Sequence, residues 1–160
     1  MAKKTKDTET FSNFNVVVFG GDGDLAFRKI YPAMFHRMLD GQINDQFNIV
    51  GVTRKTPILH ELDAKVRQFL LTIDDQPATD EQWKKFHQKI TWIQAENAEV
   101  SCYAALTEFL NRFPEYDSIF YFSTPSSAFG PISTTLKTCG LINERSKVVL
   151  EKPLGNSLAS

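Results

Sequence analysis

The run Asn15-Val16-Val17-Val18-Phe19, cut off at once by Gly20-Gly21-Asp22-Gly23, constrains this chain more than any other feature. Consecutive β-branched and aromatic residues without polar alternation mark a strand covered on both faces. No strand or helix keeps three glycines and an aspartate in its interior, so a turn must follow. Behind the turn Leu25, Ile30, Met34, Met38 and Leu39 recur at near-helical intervals, and Asp40-Gly41 closes the pattern. Strand, glycine turn and helix in that order open a βαβ unit.

The unit repeats along the chain. Further strands are expected at Phe47–Thr53, Ile90–Ile93, Ser118–Phe122 and Lys147–Leu150. Helices are expected from about Leu59 to Leu71, from Thr79 to His87, from Val100 to Arg112 and from about Ser127 to Thr138. Pro114 stops the third of these, and Pro131 belongs in the first turn of the fourth. Strands alternating with helices at this spacing form right-handed crossovers and a parallel sheet. The fold class is therefore α/β, a doubly wound parallel sheet, whose ligand is expected at the carboxyl ends of the strands.

With 160 residues and 42% apolar content, the chain suits one domain with one sizeable core. Residues 1–13 are polar and read as a flexible tail, and residues 14–160 as the folded domain. The net charge of −1 gives no bulk attraction to nucleic acid. No apolar run is long enough for a membrane span, and the basic start has no apolar stretch behind it, so it is not a secretory signal. Two cysteines are too few for a disulfide framework and lack metal-ligand spacing. A cytoplasmic location and no bound metal are the expectations.

Gly21-Asp22-Gly23-Asp24-Leu25-Ala26 fits G-x-G-x-x-A, the dinucleotide fingerprint, in the required place between strand and helix. Its glycines let backbone N–H groups approach a pyrophosphate, and the helix N-terminus adds partial positive charge. The end of the second strand selects the cofactor. An acid there would hold a ribose 2′-hydroxyl, but Gly51-Val52-Thr53 runs out into Arg54-Lys55, two cations suited to a 2′-phosphate. NADP is therefore preferred over NAD, though not exclusively.

Gly20 to Pro32 (G-G-D-G-D-L-A-F-R-K-I-Y-P) resembles the G-A-S-G-D-L-A-K-x-K-L-Y-P stretch of the glucose-6-phosphate dehydrogenase family. Val50 to Arg54 resembles that family's V-G-x-A-R, Tyr121 to Pro125 its Y-L-A-L-P, and Val149 to Gly155 its V-V-E-K-P-F-G. The four matches fall in the family's order. The resemblance implies a Rossmann-like NADP-binding domain of an oxidoreductase. Its reaction moves hydride from C1 of glucose 6-phosphate to NADP, opening the oxidative pentose-phosphate pathway of carbohydrate metabolism. By position, Gly20, Gly21, Asp22, Gly23, Asp24 and Leu25 would line the pyrophosphate, and Arg54 would meet the 2′-phosphate. Ser123, Thr124 and Pro125 would border the cofactor's nicotinamide half, and Phe129 falls where the family often places an aromatic residue at the cofactor. Lys152 would reach both cofactor and substrate, aimed by a cis peptide at Pro153, and Lys29 would lie on the substrate side.

Two departures bear on affinity. Asp22 stands where the family commonly has Ser or Thr, and a carboxylate near a phosphate costs about 1 kcal/mol in a watery setting. Phe27 replaces a common lysine, which would remove a positive charge near the same site. The family's catalytic base, a histidine in R-I-D-H-Y-L-G-K, has no counterpart in this sequence. His36, His60 and His87 lie in other contexts and are read as structural or surface residues. Trp83, Phe86 and Trp92 are read as packing residues, and Lys84, Lys85 and Lys89 as a solvated face. The expectation is the amino-terminal cofactor domain of such an enzyme, with the substrate domain and its subunit contacts (a homo-oligomer) outside this chain. It would bind nucleotide, contain no catalytic base and not turn over alone. Two other readings stay open: another NADP-linked sugar dehydrogenase, and a stand-alone nucleotide-binding module from a truncated gene.

Overall fold

The computed structural model of the chain describes residues 12–72, 74–95 and 99–150. Lys152 and Pro153, together with residues 1–11 of the expected tail, lie outside the described residues. Five strands form the sheet: β1 (Phe14–Phe19), β2 (Phe47–Thr53), β3 (Ile90–Gln94), β4 (Asp117–Phe122) and β5 (Ser146–Leu150). All neighbouring pairs are parallel, in the order β3-β2-β1-β4-β5. The chain thus winds outward from β1 to β3, returns across the sheet, and winds the other way to β5. That reversal opens a crevice between the carboxyl ends of β1 and β4, where such sheets hold ligands.

Residue alternation divides the core in two. Val17, Phe19, Val50, Val52, Phe120 and Phe122 point to one face. There they meet α4 (Ala104–Asn111) and α5 (Phe129–Thr138) through Leu106, Leu110, Ile132 and Leu136. Val16, Val18 and Ile49 point to the other face. They meet α1 (Tyr31–Leu39), α2 (Leu59–Gln68) and α3 (Asp80–His87) through Phe35, Val66 and Phe86. Covering on both faces explains why β1 reads as an unbroken apolar run. One polar rung crosses this apolar sheet: Asn15 lies opposite Asn48 and Ser118, and Asn48 Nδ2 donates to Asn15 Oδ1 at 2.8 Å.

The strand expectations hold to within a residue or two, while the helices show the larger differences. Before α1 the chain winds through a wide π turn, Ala26–Ile30. The expected helix from Val100 starts instead as a 3₁₀ turn, Val100–Tyr103, which buries Tyr103. Helix α2 stops at Gln68 because Leu70 turns into the core and Leu71 pairs with Pro77 in an antiparallel bridge. Phe86 is fully buried, Trp83 and Trp92 are half-buried against the same core, and Lys84 and Lys85 are exposed. Lys89 is less solvated than expected, donating to the Asp45 carbonyl at 2.6 Å. No helix among the described residues is long and apolar enough to cross a membrane.

Candidate functional site

The glycine turn leaves β1 at the crevice and is held from below. Gly20 has φ +81°, and a Cβ there would come within 2.3 Å of the Ser123 carbonyl oxygen, so β1 and β4 meet at their ends only through a glycine. A Cβ on Gly21 would lie 2.8 Å from Gly51 Cα, and one on Gly51 would lie 2.4 Å from the Trp92 ring. Turn, β2 and Trp92 are therefore stacked as closely as backbone allows. The Gly20 and Gly21 N–H groups donate to the Val52 carbonyl at 3.2 and 3.0 Å, and Gly23 N–H donates to Gly20 O at 3.0 Å. The Tyr31 hydroxyl, from α1, donates to Gly21 O at 2.6 Å. Burial first, and the Asp22 charge second, hold this phenol well above its ordinary range, so it stays a donor.

Those bonds decide what the turn can offer a ligand. The N–H groups of all three glycines are committed to backbone carbonyls. Helical winding begins at Asp24, and its first N–H groups have no intrahelical acceptor. Asp24, Leu25 and Ala26 thus supply the free donors, with the positive end of the helix behind them. The Asp24 side chain is exposed and tied back to Arg28, whose Nε lies 2.9 Å from its Oδ1. Asp22 is exposed.

Two cavities flank the turn. The first, of about 290 Å³, is lined by Phe19, Gly20, Val52, Arg54, Ala95, Tyr103, Thr124, Pro125, Ala128, Pro131 and Ile132. It lies at the carboxyl ends of β1, β2, β3 and β4 and is mostly apolar, as a pocket for a flat heterocycle would be. The second, of about 160 Å³, is lined by Asp22, Thr53, Lys55, Thr56, Pro57, Ile58, Glu61 and Leu62. Arg54 and Lys55, adjacent in sequence, face different cavities. Thr53 Oγ1 donates to Lys55 O at 2.7 Å and fixes the path of the chain as it leaves β2. Neither cation is in an ion pair among the described residues.

The fold thus gathers Gly20, Arg54, Thr124 and Pro125 around the larger cavity and sets Asp22 with Lys55 at the smaller one. Ser123 adjoins the larger cavity through its carbonyl, and its Oγ, like Thr124 Oγ1, is buried without a hydrogen-bond partner among the described residues. Buried hydroxyls left unpaired at a crevice fit a polar ligand that would pair them. With the glycine cradle, they fit a dinucleotide. Other sequence candidates are placed elsewhere. Phe129 is half-buried with its ring on Phe122 (5.5 Å), one residue from the wall at Ala128. Lys29 is exposed and lines neither cavity. Phe27 corrects the expectation of a lost charge at the site: it is 1% exposed, packed in the core beside Tyr31, with Lys65 Nζ 5.0 Å above its ring. A side chain at this position points under the helix, not toward a phosphate.

The histidines stand apart from the crevice. His36 is exposed and its Nε2 donates to Leu71 O, His60 is exposed, and His87 pairs with Asp63 at 2.9 Å. No group of His, Cys, Asp and Glu with metal-holding geometry occurs among the described residues. Sequence reasoning missed Tyr103, Ala95 and Ile132 as cavity walls and Glu61 beside Lys55. Ala95, just past β3, was reachable from the rule that strand ends carry the ligand. The others come from helices and leave no local signal.

Residues 17–160 match the family model described as glucose-6-phosphate dehydrogenase, NAD binding domain. The glucose-6-phosphate 1-dehydrogenase of Mycolicibacterium smegmatis (strain ATCC 700084 / mc(2)155) is 35% identical over 157 residues, covering 90% of this chain and 30% of that protein. The enzyme of the same name from Dickeya dadantii (strain 3937) is 31% identical over 153 residues, covering 96% of this chain and 31% of its own length. A solved structure of glucose-6-phosphate dehydrogenase in complex with its substrate glucose-6-phosphate superposes with a TM-score of 0.78 at 26% identity, covering 92% of this chain and 32% of that one. The chain spans about 30% of the length of the curated relatives it matches.

Proposed function

The chain belongs to the glucose-6-phosphate dehydrogenase family, as its NAD-binding domain, and on that premise we propose that residues 14–160 bind NADP for the oxidation of glucose 6-phosphate. The observation that carries this reading is the glycine turn, pinned by Tyr31 at the crevice beside a 290 Å³ cavity with Arg54 in its wall. The bound cofactor supplies the hydride acceptor for C1 of the sugar. The chain's own residues bind and orient. The first-turn N–H groups after Gly23 hold pyrophosphate oxygens, Arg54 offers a planar fork to a 2′-phosphate, and Phe19, Tyr103 and Ile132 exclude water from the apolar cavity. Ser123 and Thr124 give their unpaired hydroxyls to the polar edge of the nicotinamide half, with Pro125 beside them. Lys152 and Lys29 are the proposed substrate-side cations, and Phe129 a neighbour of the cofactor.

None of the three histidines lines either cavity beside the turn, whereas a general base must come within hydrogen-bond reach of the reacting hydroxyl. The base for the sugar hydroxyl would then be a residue other than these three, and the whole enzyme would work as a homo-oligomer. We place the protein in the cytoplasm, a setting that suits its two free cysteines. The test is a titration of the purified chain with NADP, followed by an assay with glucose 6-phosphate. Saturable binding that falls at least tenfold in Arg54→Ala, without substrate oxidation, is expected. No binding by a folded chain would overturn the reading.

A further inference from the structure

The Asp63 carboxylate, on α2, stands among three elements and uses both of its oxygens. Oδ1 accepts from the Trp92 indole N–H of β3 at 2.9 Å, and Oδ2 pairs with His87 Nε2, at the end of α3, at 2.9 Å. An ionised carboxylate can only accept, so His87 Nε2 carries a proton. The Asp63 side chain is 22% exposed, and the His87 ring is itself stacked on Trp83 at 4.9 Å. Ion pairs between long, solvated side chains hold little in place. Here a short carboxylate meets two rings, each carried by a regular element, and the clasp lies outside both cavities.

What the clasp holds reaches the glycine turn. The Trp92 ring comes within 2.4 Å of where a Cβ on Gly51 would stand, and the Tyr31 hydroxyl within 3.1 Å of the same point. Trp92 and Tyr31 meet edge to face, their ring centroids 5.9 Å apart. Tyr31 in turn donates to Gly21 O, and Gly51 backs Gly21. Contacts therefore run from Asp63 through Trp92 to both supports of the turn. The same carboxylate ties α2, whose Glu61 walls the smaller cavity, to β3, which leads into Ala95 in the wall of the larger one. A half-buried indole keeps one setting when its N–H has a partner, and without one it is free to swing toward water. Resting on the dinucleotide reading above, we infer that Asp63 is a positioning residue for the dinucleotide site: it fixes the Trp92 ring against Gly51 and Tyr31 and so sets where the glycine turn meets the pyrophosphate. His87 holds the second oxygen and keeps the carboxylate from turning away from the indole.

The experiment separates an effect on the ligand from an effect on the fold. NADP is titrated calorimetrically into the folded parent chain and its variants, and the stability of each is measured separately in urea. Asp63→Ala should weaken NADP binding about fivefold, the weight of one hydrogen bond's worth of ordering. Asp63→Leu, which fills the space but has no acceptor, should do the same and serves if the smaller residue does not fold. Asp63→Asn keeps an amide oxygen for the indole, and a neutral His87 can turn its lone pair to the amide, so affinity should stay within about twofold of the parent. In a Trp83→Phe chain Trp92 is the sole tryptophan. Its emission should shift to the red with Asp63→Ala and stay in place with Asp63→Asn. In a Trp92→Phe chain, Asp63→Ala should change NADP affinity by less than about twofold, because the loss passes through the indole. NADP affinity within about twofold of the parent in both Asp63→Ala and Asp63→Leu, whatever their stability, overturns this inference and leaves the dinucleotide reading standing. An equal loss with and without Trp92 does so too. Failure of NADP to bind the folded parent chain overturns both.

Discussion

Tyr31 carries the glycine turn through one buried hydrogen bond to Gly21 O, made at 2.6 Å with no exposure of the side chain. Tyr31→Phe strands that carbonyl among apolar groups, at an expected cost of about 1–3 kcal/mol by chemical denaturation, with weaker dinucleotide binding. The pH sign follows from the direction of the shift. Burial raises the Tyr31 pKa above its ordinary value of 10.0, so its contribution is complete below pH 10 and drains away as pH climbs higher. Tyr103, pushed up to about 12 chiefly by burial, loses its contribution between pH 10 and 12. Stability should therefore fall above pH 10, and less steeply in Tyr31→Phe than in the parent, as measured by denaturant midpoints across that range. The tyrosine is visible in the sequence only as one letter of a motif. Its partner lies ten residues away across a turn, a relation that no periodicity encodes.

At the scale of elements, local rules hold where the ends are polar and fail where burial intervenes. Helix α3 is capped as its sequence suggests: Thr79 Oγ1 accepts from Gln82 N–H at 3.1 Å, and the Gln82 side chain accepts from Thr79 N–H at 2.9 Å. Thr79→Ala should cost about 1 kcal/mol in a thermal or urea melt, and restoring Ser there should recover most of it. Helix α2 has no such box, and its end is set by Leu70 turning inward, which the apolar pattern through Leu71 concealed. The same holds for the 3₁₀ turn before α4, where burying Tyr103 outweighs continuing the expected helix. Trp92 was legible as a packing residue. That its ring fills the space above Gly51, while its indole N–H donates to Asp63 Oδ1 at 2.9 Å, was not.

For the molecule as a whole, position in the sheet decides what a strand tolerates. Val50 in β2 is fully buried between two layers of helix, whereas Val148 in the edge strand β5 is 47% exposed. Val50→Lys should unfold the chain, because an unpaired ammonium cannot be held there. Val148→Lys should change stability by less than about 0.5 kcal/mol, checked by parallel urea melts. The two valines stand in similar apolar runs, and only the strand order separates them. The sequence by itself determined the five strands, the alternation that makes them a parallel α/β sheet, and the glycine turn at the reversal point. Each of these rests on chemistry within a few residues: branched side chains, missing side chains and the periods of helix and strand. Only the tertiary structure decided that Arg54 and Lys55 face different cavities, that Phe27 lies in the core, and that Asp22 and Glu61 stand beside Lys55. Those placements arise where separate elements converge, and charge and packing across that gap act through space, with no trace along the chain.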